Sequence, residues 1–158
     1  MSDLLAGAQW WFLQRLEYKE ALLKVEIAEG ITSSSAKDVE ISNGLSVKRA
    51  SPIEITEKSK HVRIKFSHVL AHQVTDESYW AAEAGGTTEI DGLILCQHID
   101  SAYLEYVSKN SLIDDLVDDP LCHYSLNLAD DIIDVVTTAK PSIELILNPI
   151  LNHQFNLK

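Results

Sequence analysis

Apolar and polar residues alternate along several short segments of this chain. Residues 23–27 read LKVEI and residues 61–66 read HVRIKF, so an apolar side chain occupies every second position in both. Alternation of this kind is typical of a β-strand with one buried face. We therefore predict a strand at each segment, with residues 69–74 continuing the second strand or resuming it after a bulge.

The N-terminal residues 4–18 are compatible with two structures. As a strand, the segment would form a hairpin with the next strand through Lys19 and Glu20. Its aromatic residues favour the strand, because aromatic side chains are enriched in sheets. As a helix, it would place four apolar side chains on one face. These are Leu5, Ala8, Phe12 and Leu16.

Residues 128–138 are also compatible with a helix, capped at Asn127, or with a strand. The density of β-branched residues favours strands over 133–138 and 142–147, joined by a turn at residues 139–141. In such a strand Asp134 would face the opposite way from Val135. The sequence then predicts that the acidic side chains line a solvated edge of the sheet.

The remaining segments complete a mostly β architecture. Residues 93–99 form a short apolar run typical of a buried strand, and the glycines in residues 83–92 predict a loop before it. A helix is predicted to begin after Asp100 or Ser101, and residues 112–119 extend it or form a second short helix. With about seven strands and one or two helices, the expected class is α+β with a predominantly antiparallel sheet.

The 158 residues fit a single domain over 1–158, which can bury a core without disulfides or a metal. The two cysteines are too few for a disulfide framework. The N-terminus lacks the charge pattern of a signal peptide, and its apolar stretch is shorter than the roughly 20 residues of a membrane span. We therefore expect a cytoplasmic protein with no membrane contact.

The negative charge of the chain is concentrated in its second half. The net charge is -11, with ten Lys and Arg against eleven Asp and Glu in residues 1–79, and three against thirteen in residues 80–158. Such a field repels the phosphates of a nucleic acid and attracts a basic protein. The competing interpretation is that the acidic face only keeps the protein in solution.

Acidic residues recur in pairs around the second predicted helix. Adjacent carboxylates on a solvated helix usually aid solubility, and their spacing does not match a calcium-binding loop. As a docking surface for a basic protein, these carboxylates would be joined by two tyrosines, since tyrosine is frequent among the residues that dominate binding energy. The predicted binding residues are Asp114, Asp115, Asp118, Asp119, Tyr103 and Tyr106.

Cysteines and histidines supply the candidate metal or thiol chemistry. If residues 93–99 and the segment around Cys122 form neighbouring strands, Cys96, His98, Cys122 and His123 approach one another. Cys122 and His123 would point to opposite faces, so at most three of the four converge, and the candidates are Cys96, His98 and His123. The chain contains no GxSxG, GxGxxG or GxxxxGK[ST] motif. No catalytic residue and no cofactor are therefore predicted.

Three segments resemble, in the same order, a group of small uncharacterised bacterial proteins. They read FSHVLAHQVTDESYW at 66–80, SAYLEYV at 101–107 and HYSLNLADDIIDVVTTAKPSIE at 123–144. The chain departs from the group at His72, where an aromatic residue is usual. The resemblance implies a solitary domain and, for some members, an immunity protein encoded beside a secreted toxin.

These observations predict a non-enzymatic acidic binding protein, in its concrete form an immunity protein that neutralises a basic toxin. Two other functions stay open. One is a small metal- or thiol-dependent enzyme that uses Cys96, His98 and His123. The other is a self-associating structural module, because residues 142–155 are more apolar than a final strand needs and could cover a second copy in a homodimer.

Overall fold

The structure is a computed structural model that describes residues 3–41, 44–147 and 149. Within these residues the chain forms twelve β-strands and two α-helices. The strands are β1 (Trp10–Lys19), β2 (Leu22–Thr32), β3 (Lys37–Ile41), β4 (Leu45–Ala50), β5 (Ile53–Glu54), β6 (His61–Phe66), β7 (Val69–Asp76), β8 (Thr87–Asp91), β9 (Leu95–His98), β10 (Cys122–Asn127), β11 (Asp131–Thr137) and β12 (Ser142–Leu145). The helices are α1 (Ala102–Lys109) and α2 (Ile113–Leu116), and a single 3₁₀ turn spans Glu77–Tyr79.

The first sheet is built on the hairpin predicted at the N-terminus. β1 pairs antiparallel with β2, and the turn residues Glu20 and Ala21 have φ values of 51° and 58°. Positive φ at both central residues is what a type I′ hairpin turn requires. The sheet then continues in the order β1-β2-β6-β12, with β5 beside the end of β2. The hairpin is therefore confirmed, with its turn at Glu20 and Ala21 instead of the predicted Lys19 and Glu20, and the helical alternative for residues 4–18 is wrong.

The period-two alternation places one face of this sheet in the core. Leu23, Val25 and Ile27 of β2 are fully buried, and so are Val62 and Ile64 of β6. The charged residues between them lie on the opposite face of the same strands. The strands predicted from these two patterns are confirmed.

The second sheet has the order β7-β11-β10-β9-β8, and all its paired strands are antiparallel. β9 and β10 are neighbours, which is the arrangement that the cysteine and histidine hypothesis required. Residues 83–92 were predicted as a loop, but β8 occupies part of them after Gly85 and Gly86. The remaining pair, β3 and β4, forms a separate two-stranded sheet.

The chain passes twice from one sheet to the other. β7 follows β6 after a break at His68, whose φ is 54°, so residues 69–74 do not continue the preceding strand but enter the second sheet. β12 likewise follows β11 but pairs with β6 of the first sheet. The strand interpretation of residues 128–138 is confirmed. The expected count of about seven strands is too low, because β5 has only two residues and β8 lies in the segment predicted as a loop.

The two sheets enclose one hydrophobic core. Trp11, Ile27 and Phe66 from the first sheet belong to the same buried cluster as Tyr124 and Ile133 from the second. Side chains at alternate positions of β9, β10 and β11 therefore point away from this core, toward α1 and the loop that precedes β8. That outward face is where polar residues gather.

The helices are short and lie between β9 and β10. Ser101 is the N-cap of α1, and its Oγ accepts a hydrogen bond of 2.9 Å from the backbone N–H of Leu104, as predicted. α2 is a separate helix of four residues. The mostly antiparallel β architecture is confirmed, while α+β describes it loosely because so little of the chain is helical. Among the described residues, no helix has the length and apolar character needed to cross a membrane.

Candidate functional site

A row of polar side chains crosses the second sheet on the face turned away from the core. Strand register places Gln73, Asp134, Ser125 and Cys96 opposite one another on β7, β11, β10 and β9. His123, two positions before Ser125, shares their face. We call Gln73, His98, Ser101, His123, Ser125 and Asp134 the histidine cluster.

His123 lies at the centre of this cluster and is fully buried. Its Nε2 is 2.9 Å from Asp134 Oδ1, and its Nδ1 is 2.6 Å from Ser101 Oγ. Because an ionised carboxylate only accepts, His123 donates from Nε2, and in the neutral ring Nδ1 then accepts from the Ser101 hydroxyl. Gln73 Nε2 donates to the other carboxylate oxygen of Asp134 at 2.9 Å. Both ring nitrogens and both carboxylate oxygens thus have partners.

The position of Asp134 corrects the prediction that the acidic residues of this segment line a solvated edge. Asp134 is only 5% exposed. Burial alone would raise the pKa of its carboxyl group, but the hydrogen bonds from His123 and Gln73 outweigh burial and lower that pKa. Asp134 therefore stays ionised inside the protein and orients His123.

His98 stacks on His123, with ring centroids 3.9 Å apart and ring planes 11° from parallel. Its Nε2 is 3.1 Å from Ser125 Oγ. Burial lowers the pKa of His98, and the adjacent His123 imidazole lowers it further. Its Nδ1 is buried and has no hydrogen-bond partner among the described residues. Such an atom is rare inside proteins and calls for an explanation.

Glu83 closes the cluster from the loop before β8. Its carboxylate accepts hydrogen bonds of 2.8 Å and 3.0 Å from the backbone N–H groups of Ala102 and Tyr103, at the start of α1. Glu83 Oε2 also lies 3.6 Å from His98 Nδ1. One ligand atom from each of Glu83, His98 and His123 lies within 4.8 Å of the other two.

Cys96 is not the third member of this group, although the sequence placed it beside His98 and His123. Its thiol points instead toward the carbonyl of Leu93, at 3.5 Å, and burial raises its pKa. Cys122 faces the other side of β10, where it packs against the core cluster. Both cysteines are free. The structure thus brings Glu83 to the two histidines in the place predicted for Cys96.

A cavity of about 400 Å³ lies beside the histidine cluster. His98, Ser101 and His123 form part of its wall, and Leu104 and Leu121 supply apolar surface. The two histidines are therefore buried on one side and adjoin space for a small ligand on the other.

Ser101, His123 and Asp134 form a chain of the kind that activates a serine nucleophile. Nucleophilic catalysis also needs free N–H donors for the developing oxyanion. The N–H groups of Ala102 and Tyr103, which adjoin Ser101, are bound by Glu83, and that of Leu104 is bound by Ser101 itself. This arrangement favours ligand binding at the histidines over acyl transfer at Ser101.

The predicted acidic residues lie in a different region, on and after α2. Asp114, Asp115, Asp118 and Asp119 are all exposed, and none forms an ion pair within the described part of the chain. Leu112 and Leu116, each of which precedes one pair of these aspartates, are 66% and 77% exposed. Uncompensated carboxylates and exposed leucines therefore share one surface.

The two predicted tyrosines occupy different environments on α1. Tyr106 is 63% exposed and lies on the same part of the chain as the aspartates. Tyr103 is half-buried, and its ring makes an edge contact with His123 at a centroid distance of 5.3 Å. Burial raises the pKa of Tyr103 to about 12. We call Tyr106, Leu112, Leu116 and the four aspartates the acidic surface.

Sequence reasoning missed four members of the histidine cluster, Gln73, Ser101, Ser125 and Asp134, and it missed Glu83 beside them. Ser101 was identified only as a helix cap, and Glu83 lies in a segment predicted as a loop. The sequence did indicate that Asp134 faces away from Val135. The register of β10 and β11, which the sequence does not give, then places Asp134 opposite Ser125. Half of the C-terminal segment 142–155 proposed for self-association, residues 148 and 150–155, lies outside the described residues.

Comparison with known proteins does not assign this chain to a family. No protein-family model, curated protein or solved structure matches the chain. The resemblance to small uncharacterised bacterial proteins, and the immunity function that it implies, therefore stay predictions.

Proposed function

We propose that this protein is a non-enzymatic binding protein that docks a basic protein partner on its acidic surface. In its concrete form the partner is a basic toxin, and the protein acts in the cytoplasm as the immunity factor. The observation that carries the proposal is the combination of exposed leucines with four uncompensated aspartates on and after α2.

The charge on this surface supports a role in association. Carboxylates without cationic neighbours project a negative potential, which draws a basic protein to this face and disfavours acidic competitors. Lys109, at the end of α1, is already paired with Glu105. Lys109 therefore does not neutralise the negative potential of the four aspartates.

The apolar side chains support a role in affinity. Charged residues at an interface rim mainly set association rate, whereas a few well-packed residues at its centre, tyrosine prominent among them, supply most of the binding energy. Leu112, Leu116 and Tyr106 are exposed in the isolated chain and would be covered by a partner. A basic partner with an apolar centre fits this surface.

A parallel capture experiment tests the proposal. The wild type, a variant with Asp114, Asp115, Asp118 and Asp119 changed to Asn, and a control with Glu20, Glu40, Glu57 and Glu77 changed to Gln are immobilised and exposed to extract from the source cells. The control removes the same charge from exposed residues outside α1 and α2. We expect one basic protein on the wild type and the control, lost at high salt and absent from the Asn variant.

Two outcomes would reject this surface. Equal capture by the wild type and the Asn variant would show that the aspartates take no part in docking. Equal loss from both quadruple variants would show that net charge alone, and not this surface, retains the protein. Leu116→Ser is a second probe, and we expect it to speed dissociation while leaving association nearly unchanged.

A further inference from the structure

We propose that Glu83, His98 and His123 bind one divalent first-row transition metal ion, of the class to which Zn²⁺ belongs. This inference does not depend on the acidic surface, because the two regions share no residue. It starts from His98 Nδ1, which is buried without a hydrogen-bond partner while the side chain is only 5% exposed. A metal ion is a partner that would satisfy this atom.

The donor set suits such an ion. Two imidazoles and one carboxylate are the ligands of many zinc and related transition-metal sites, where the ligand bonds are about 2.0–2.2 Å long. The three ligand atoms now lie within 4.8 Å of one another. To surround one ion, the stacked imidazole rings and the Glu83 carboxylate must turn from their present positions.

The outer contacts of both histidines match those of metal ligands. A ligating histidine usually anchors its second nitrogen on a carboxylate or another polar group, which fixes the ring and its tautomer. His123 Nε2 is held by Asp134 and His98 Nε2 by Ser125. Both rings are therefore oriented with Nδ1 as the nitrogen available to a metal.

Ser101 must also move. Its hydroxyl now donates to His123 Nδ1, so metal binding requires that hydroxyl to turn away. Ser101 Oγ also accepts from the N–H of Leu104, and this second bond can hold the serine as the helix cap after it turns. The competition predicts that removing the hydroxyl strengthens metal binding.

With three protein ligands, a tetrahedral ion keeps one position free. That position would adjoin the cavity of about 400 Å³, so a water molecule or a small anionic ligand could occupy it.

Zinc titration of the full chain tests the inference. The protein is treated with a chelator, dialysed, and titrated with Zn²⁺ by calorimetry in competition with a chelator of known affinity. We expect one ion per chain, about 100-fold weaker binding in Glu83→Gln and in His98→Gln, and tighter binding in Ser101→Ala. Cys96→Ser and His72→Gln are controls that should bind as the wild type does.

The outcomes separate the alternatives. Absence of saturable binding, or equal affinity in all variants, would overturn the proposal. Loss of zinc binding in Cys96→Ser but not in Glu83→Gln would show that the ligands are Cys96, His98 and His123, the group inferred from the sequence. If a variant fails to fold, imidazole NMR signals of the wild type give an independent answer: Zn²⁺ should shift those of His98 and His123 and leave that of His72 in place.

Discussion

The histidine cluster and the acidic surface both contain aspartates, yet the two regions treat a carboxylate in opposite ways. Asp134 is buried, and both of its oxygens accept hydrogen bonds. Asp118 and Asp119 are exposed and have no cationic partner among the described residues. The buried carboxylate of Asp134 holds the side chains around it in place. The exposed carboxylates of Asp118 and Asp119 remain accessible to another molecule. The same residue type therefore serves structure in one region and, in our proposal, recognition in the other.

The largest expected difference comes from removing a carboxylate in each region. Asp134→Ala leaves His123 Nε2 and Gln73 without their acceptor, and we expect it to lower the free energy of unfolding by about 3 kcal/mol. Asp118→Ala should leave the unfolding free energy unchanged within experimental scatter. Urea denaturation followed by circular dichroism measures both. Equal effects in the two variants would remove the distinction between the regions.

A second, smaller difference is expected between two tyrosines on one helix. Tyr103→Ala uncovers His123, and because the side chain is only half-buried we expect a loss of about 1–2 kcal/mol. Tyr106→Ala makes the same change in helix propensity at an exposed position and should leave stability nearly unchanged while weakening partner capture. Thermal unfolding and the capture assay together separate the two roles. Similar results for both tyrosines in both assays would argue against the division.

The smallest expected effect is a change in the pH dependence of stability. Because the pKa of His98 is lowered in the folded protein from its ordinary 6.5, the unfolded chain binds more protons just below that pH. The contribution of His98 is thus complete above pH 6.5 and is lost as the pH falls toward its folded pKa. His61, whose pKa burial also lowers, adds to the same trend. His98→Gln should make stability fall less steeply with decreasing pH below 6.5, and an unchanged slope would contradict the burial of a neutral His98.

The sequence predicted most of the sheet but only part of the histidine cluster, for a physical reason. Alternation fixes which residues of one strand share a face, and it therefore placed Val62 and Ile64 correctly. It does not fix which strands become neighbours or how they align. The meeting of Asp134 with His123 depends on the β10 and β11 register, and the approach of Glu83 depends on the loop before β8.

For the acidic surface, the sequence predicted which residues lie near one another but not whether they are exposed. Its aspartates and leucines are close in sequence, so their proximity followed directly from the chain and required no knowledge of the sheet. What the sequence alone left open was exposure, because apolar pairs every four residues also suit a buried helix. The structure exposes Leu112 and Leu116 together with the carboxylates. Local features were predictable here, and long-range packing was not.

The central claim, that this protein binds a basic partner through its acidic surface, is tested most directly by association kinetics. The captured partner is purified, and its association rate with the wild type and with the four-aspartate Asn variant is measured by stopped flow over a range of salt concentrations. We predict association about tenfold slower for the variant at low salt, with a weaker dependence on salt. Identical rates and salt dependence for the two proteins would contradict the claim.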